Sequence, residues 1–178
     1  SGFGGQGVLF SGLALAQGAL HEKLQVSWIP SYGPEMRGGT AHCHVRISKH
    51  PIASPWISRP SSLLAFNQPS IDKFAQDVLP GGLILVNSSM VSTVPDRPDV
   101  LVVRVPAYEA ANSLGNPKAA NMILLGAYLE VTGAIEQESI LSAFVENGTK
   151  PELLKKNREA LEAGRRLVVG TKFTGKSA

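Results

Sequence analysis

The sequence predicts an α/β fold: a three-layer α/β/α sandwich with a mostly parallel or mixed central sheet and a Rossmann-like start. Three observations carry this. Strand-like and helical runs alternate over the first 105 residues. A glycine-rich segment, Gly2 to Gly7, opens directly into a helical run. From residue 107 onward the pattern is helical only.

Val8 to about Leu20 reads as a helix, with Gly12 and Gly18 marking close packing against a neighbour. Gln25 to Ile29 reads as a short strand stopped by Pro30. Thr40 to Ser48 alternates with period two, so that Ala41, Cys43, Val45 and Ile47 share one face and His42, His44 and Arg46 the other. Ser62 to Phe66 is a compact apolar run, followed by Ser70 as N-cap of a helix through Val78. Strands are expected at Leu83 to Val86 and Leu101 to Val105. Helices follow at Ala107 to Leu114, from Asn116-Pro117 to Thr132, at Glu136 to Val145, and from Pro151 to about Arg166. No linker or internal repeat interrupts the chain, so residues 1–178 read as a single domain.

Composition narrows the function classes. The 178 residues are 43% hydrophobic and 17% charged, a globular balance with a mean hydropathy of +0.05. No apolar run approaches the length of a membrane span, and the start carries no secretory pattern, so no membrane association and a cytoplasmic location are expected. The net charge of +3 is dispersed: Lys155, Lys156, Arg158, Arg165 and Arg166 are interleaved with Glu152, Glu159 and Glu162, the pattern of a solvated helix face rather than a nucleic-acid surface. One cysteine, Cys43, cannot supply an iron–sulfur cluster or a thiolate-rich metal site.

Two motifs carry chemistry. Gly2-Phe3-Gly4-Gly5-Gln6-Gly7 fits G-x-G-x-x-G, whose glycines let backbone N–H groups approach a phosphate at a helix N-terminus. The strand that normally precedes such glycines is expected upstream of Ser1, and the second strand ends without the acidic residue a dinucleotide ribose requires. Dinucleotide binding and a tight turn that only packs the first helix both remain open. The second motif is Ser31-Tyr32-Gly33-Pro34-Glu35-Met36-Arg37-Gly38-Gly39. Here Arg37 can grip an anion bidentately or pair with Glu35 to shape the loop. His42 and His44 have a chelating spacing but no third ligand nearby, so a solvated or interface pair is expected. Cys43 faces the presumed core, and Asn112, Asn116 and Asn121 gather near a helical junction, with Asn116 expected as a cap. No catalytic triad or paired-carboxylate arrangement stands out, and no catalytic residue or metal ligand is assigned.

Together these motifs, with Val45-Arg46-Ile47-Ser48, Leu79-Pro80-Gly81-Gly82, Leu114-Gly115-Asn116 and Asn121 to Gly126, resemble the gamma subunit of 2-oxoacid:ferredoxin oxidoreductases. The resemblance implies an accessory subunit, inactive alone, of a complex that oxidatively decarboxylates a 2-oxoacid to acyl-CoA and reduces ferredoxin. It implies alpha, beta and in some complexes delta subunits as partners. Thiamine diphosphate, iron–sulfur clusters and CoA belong to the complex, and none is expected on this chain alone. As contacts for CoA or a neighbouring subunit it points to Gly2, Gly4, Gly5, Gln6, Gly7, Tyr32, Glu35, Arg37, Gly38 and Gly39. A stand-alone nucleotide-binding α/β module is the alternative. Apolar side chains beside the motif loop (Trp28, Ile29, Tyr32, Pro34 and Met36) predict self-association of the isolated chain as a homodimer or larger species.

Overall fold

A computed structural model describes residues 1–33 and 38–175. Strand β1 (Gly2–Phe3) is followed by α1 (Val8–His21), β2 (Gln25–Tyr32), β3 (Thr40–Ser48), β4 (Ser62–Ala65) and α2 (Gln68–Phe74). Then come β5 (Leu83–Asn87), β6 (Leu101–Val105), α3 (Ala107–Ser113), α4 (Ala120–Thr132), α5 (Gln137–Glu146) and α6 (Pro151–Arg166). The strands form two three-stranded sheets, an antiparallel β1-β3-β2 and a parallel β4-β5-β6. Ser1 joins them edge to edge: its nitrogen donates to the Leu64 carbonyl at 2.8 Å and its carbonyl accepts from Phe66 N–H at 2.9 Å. The outcome is the expected α/β sandwich, with antiparallel and parallel halves.

Alternation along β5 explains the layers. Leu83 and Leu85 pack with Ile123, Leu124, Leu141 and Leu161 of the helical layer. Ile84 and Val86, pointing the other way, pack with Ile71, Ala75, Val78 and Val91. A strand buried on both faces reads as an uninterrupted apolar run, and Leu-Ile-Leu-Val is one.

Several local expectations are corrected. A strand does exist at the start, at Gly2–Phe3 itself, paired with Ala41 and Thr40. Pro30 does not stop β2, which runs on to Tyr32; β2 is an edge strand, where a missing N–H is tolerated. The N-cap of α2 is Asn67, whose Oδ1 accepts from Ser70 N–H at 3.1 Å, and the helix tightens into a 3₁₀ turn at Ala75–Asp77. Asn116 sits at the N-cap position of the Pro117–Ala119 turn but makes no side-chain capping bond.

The connection from β5 to β6 uses no helix. Segment 88–100 is instead bound to α2 and the turn after it. Gln68 Oε1 accepts from Ser92 and Thr93 N–H, each at 3.1 Å. Arg97 donates to the carbonyls of Ala75, Gln76 and Val78 and pairs with Asp99 at 2.7 Å.

Candidate functional site

Gly2 to Gly7 turns the chain from β1 into α1 at the edge where the parallel strands end. Gly5 and Gly7 both have positive φ, +95° and +75°, which glycine adopts without strain. The two have different surroundings. A Cβ on Gly5 would meet nothing within 4 Å, whereas one on Gly7 would lie 2.5 Å from Asn121 Nδ2. Asn121 itself donates to the Gly7 carbonyl at 3.3 Å, tying α4 to the start of α1 rather than joining Asn112 and Asn116. Gly2 is buried, boxed in by Gln6, Phe66 and Val8.

The two sequence motifs meet at Gly4. Its N–H donates to the Gly39 carbonyl at 2.8 Å, and its carbonyl accepts from Gly38 N–H at 3.3 Å. This backbone clasp extends the β1–β3 pairing beyond Phe3 and brings both ends of the second motif, Tyr32-Gly33 and Gly38-Gly39, beside the glycine turn; Gly33 N–H donates to Thr40 O at 3.2 Å. Tyr32 is 70% exposed, while Trp28 and Ile29 are half-buried. Pro34, Glu35, Met36 and Arg37 lie outside the described residues, and with them the choice between an anion-gripping and a loop-shaping Arg37.

Gln6 is occupied internally. Its Oε1 accepts from Phe3 N–H at 2.6 Å and from Asn67 Nδ2 at 3.3 Å, and its Nε2 donates to Tyr108 Oη at 3.2 Å. Asn67, Asn87 and Tyr108 were not singled out from sequence. Asn87, buried at the end of β5, donates to the Phe66 carbonyl and accepts from Ala107 N–H at 3.3 Å, joining the ends of β4 and β6. Ser89 Oγ accepts from Tyr108 N–H at 3.2 Å and donates to the Glu109 carboxylate, a bond that holds that carboxyl below its usual range. The one available signal was an asparagine closing an apolar strand, Leu-Ile-Leu-Val-Asn. The glycine turn thus lies beside the carboxyl ends of the parallel strands, the end of the sheet where open α/β folds bind ligands. Its amides and hydroxyls bond to one another and to the main chain, holding the turn in place.

Cys43 packs against Gly12 of α1, its thiol directed at the Val8 carbonyl at 3.8 Å, and burial pushes the thiol above its ordinary value. His42 and His44 are half-buried on β3, with the Phe74 ring beside the first and the Trp56 ring beside the second, each with ring centres 5.2 Å apart. Among the described residues no group of three His, Cys, Asp or Glu side chains could hold a metal ion, and no helix is long and apolar enough to cross a membrane.

The sequence matches the family described as pyruvate ferredoxin/flavodoxin oxidoreductase over residues 1–167. The chain belongs to that family. It is 44% identical over 168 residues to the ketoisovalerate oxidoreductase subunit VorA of Methanothermobacter marburgensis, covering 92% of this chain and 34% of that protein. It therefore spans about a third of the length of that relative. It is 35% identical to the 2-oxoglutarate synthase subunit KorC of Methanocaldococcus jannaschii, over 84% of this chain and 82% of that one. Among solved structures, the gamma subunit of a keto/oxoacid ferredoxin oxidoreductase from Geobacter sulfurreducens is 31% identical, with a TM-score of 0.76 over 93% of both chains. The 2-oxoglutarate:ferredoxin oxidoreductase of Magnetococcus marinus, solved with 2-oxoglutarate, coenzyme A and succinyl-CoA bound, shares the fold at a TM-score of 0.85 and 21% identity. That match covers 98% of this chain and 31% of the other.

Proposed function

We propose that this chain is the gamma-type accessory unit of a 2-oxoacid:ferredoxin oxidoreductase, assembled with alpha, beta and in some complexes delta subunits, and active only in the assembly. The observation that supports this most directly is the clasp at Gly4, which joins the two motifs of the family resemblance into one surface. Decarboxylation by thiamine diphosphate and electron transfer through iron–sulfur clusters are assigned to the partner subunits, since a single cysteine packed behind α1 is no ligand set for a cluster.

In this reading the ligand that approaches the glycine turn is CoA. Open space over Gly5 lets an anionic group approach the backbone, and the first turn of α1 carries no acidic side chain to repel it. In this reading Gly4, Gly5 and Gly7 shape the approach, Gly2 and Gln6 hold the turn in place, and Tyr32, Glu35, Arg37, Gly38 and Gly39 of the second motif complete the contacts. Arg37 supplies the charge, bidentate to a CoA phosphate or a partner carboxylate.

Reconstitution tests the reading. Adding this chain to its partner subunits should restore CoA-dependent reduction of a viologen dye by a 2-oxoacid. Arg37→Lys keeps the charge and loses the planar fork, so it should weaken CoA use or assembly by about 1–3 kcal/mol while the isolated chain melts unchanged. Full activity without this chain would overturn the assignment. Nicotinamide-dependent activity of the isolated chain would favour a stand-alone nucleotide-binding module.

A further inference from the structure

Residues 49–61 leave β3 and return across its outer face to reach β4. Most side chains from Pro51 to Arg59 are exposed, with Ile52 and Ile57 half-buried. Beyond the turn at its start, where His50 N–H donates to Ser48 Oγ at 2.9 Å, two hydrogen bonds fasten this strap to the strand beneath: Ile57 N–H donates to His44 Nδ1 at 3.3 Å, and Arg46 donates to the Trp56 carbonyl at 3.4 Å. Trp56 lies against the His44 ring with 63% of its surface exposed. The first of these bonds requires an unprotonated Nδ1, because an imidazolium has two donors and no acceptor.

We propose that the 49–61 strap is an acid-released latch: a proton taken up at His44 Nδ1 replaces the hydrogen bond from Ile57 N–H and frees the strap from the outer face of β3. Its surroundings favour the unprotonated ring. Burial holds both His42 and His44 below the ordinary histidine value of 6.5, and for His42 the neighbouring His44 and then Lys73 add to that effect. The two rings lie 5.7 Å apart on β3, with Arg46 next on the same face. From α2 comes Lys73, while the β2 residues paired with the histidines, Ser31 and Ile29, carry no charge, nor do Trp56 and Ile57. A folded-state value below the unfolded one means that the latch is fully present above about pH 6.5 and is lost as pH falls through the lower folded value.

Amide hydrogen exchange followed by NMR on the whole chain reads the latch at Ile57. Protection corrected for intrinsic rate should fall about tenfold or more between about pH 7.5 and about pH 5, while amides of α4 keep theirs. His44→Asn retains an acceptor oxygen near the Nδ1 position without titrating, and should hold Ile57 protected at both pH values. His42→Asn should leave the acid response in place. Constant wild-type protection, a loss shared equally by α4, or an acid response that survives in His44→Asn would each overturn the latch.

Discussion

At the scale of single residues, the glycines of the first motif divide by what surrounds them. Gly5 and Gly7 share a left-handed backbone, so an alanine at either carries the same kind of conformational strain, about 1–3 kcal/mol. Only at Gly7 does the new methyl also collide with a buried partner, Asn121, which is itself bonded to the Gly7 carbonyl. Gly7→Ala should therefore lower the melting temperature clearly more than Gly5→Ala. Thermal melts of the two variants side by side check this, and equal shifts would show that Asn121 yields at no cost. Glu22 shows the same economy elsewhere. It is the C-cap residue of α1, and its carboxylate reaches the start of α5, accepting from Glu136 N–H and Ser139 Oγ, both at 2.7 Å.

Among the elements, α4 and α6 approach more closely than side chains would allow. Gly126 of α4 faces the Leu161 carbonyl and Gly164 of α6 faces the Ile123 carbonyl, so each helix uses a glycine to admit the other's backbone. A methyl group at either position meets main chain, which cannot rotate away. Gly126→Ala and Gly164→Ala should each destabilise the chain by about 3 kcal/mol or more, measured by urea unfolding. Gly133→Ala, at a helix end with open space around it, should cost only the strain of its positive φ. A cost at Gly126 or Gly164 no larger than at Gly133 would show that the helices separate freely. The expectation of close packing at Gly12 and Gly18 holds in the same way, against Cys43 in one case and Ile135 and Ile140 in the other.

For the whole molecule, one parallel sheet carries both apolar clusters, Leu83 and Leu85 on one face and Ile84 and Val86 on the other. Neither layer can separate without exposing the same strand. We propose on this basis that residues 1–178 unfold as one domain, so far-UV and near-UV circular dichroism should report one coincident transition. Self-association through the Trp28–Tyr32 end of β2 should make the midpoint rise with protein concentration. Two separated transitions would refute the single domain, and a midpoint independent of concentration the homodimer.

Local patterns were enough to define the fold class. Period-two alternation in Thr40–Ser48, the doubly buried run at Leu83–Val86 and the glycine and proline punctuation of the helices are all short-range consequences of backbone geometry. The glycine motifs were equally plain, because left-handed turns select glycine whatever the rest of the chain does. Tertiary structure decided the rest. Only the pairing of β1 with β3 could reveal that Gly4 clasps Gly38 and Gly39. Pro30 continues a strand because its neighbours place it at an edge, and Gln6 is held by Asn67 and Tyr108, 61 and 102 residues away in sequence. For His42 and His44, a period of two tells which side chains share a face but not what lies beside that face. The neighbouring rings are those of Phe74 and Trp56, residues placed by packing between segments distant along the chain, on which local sequence is silent.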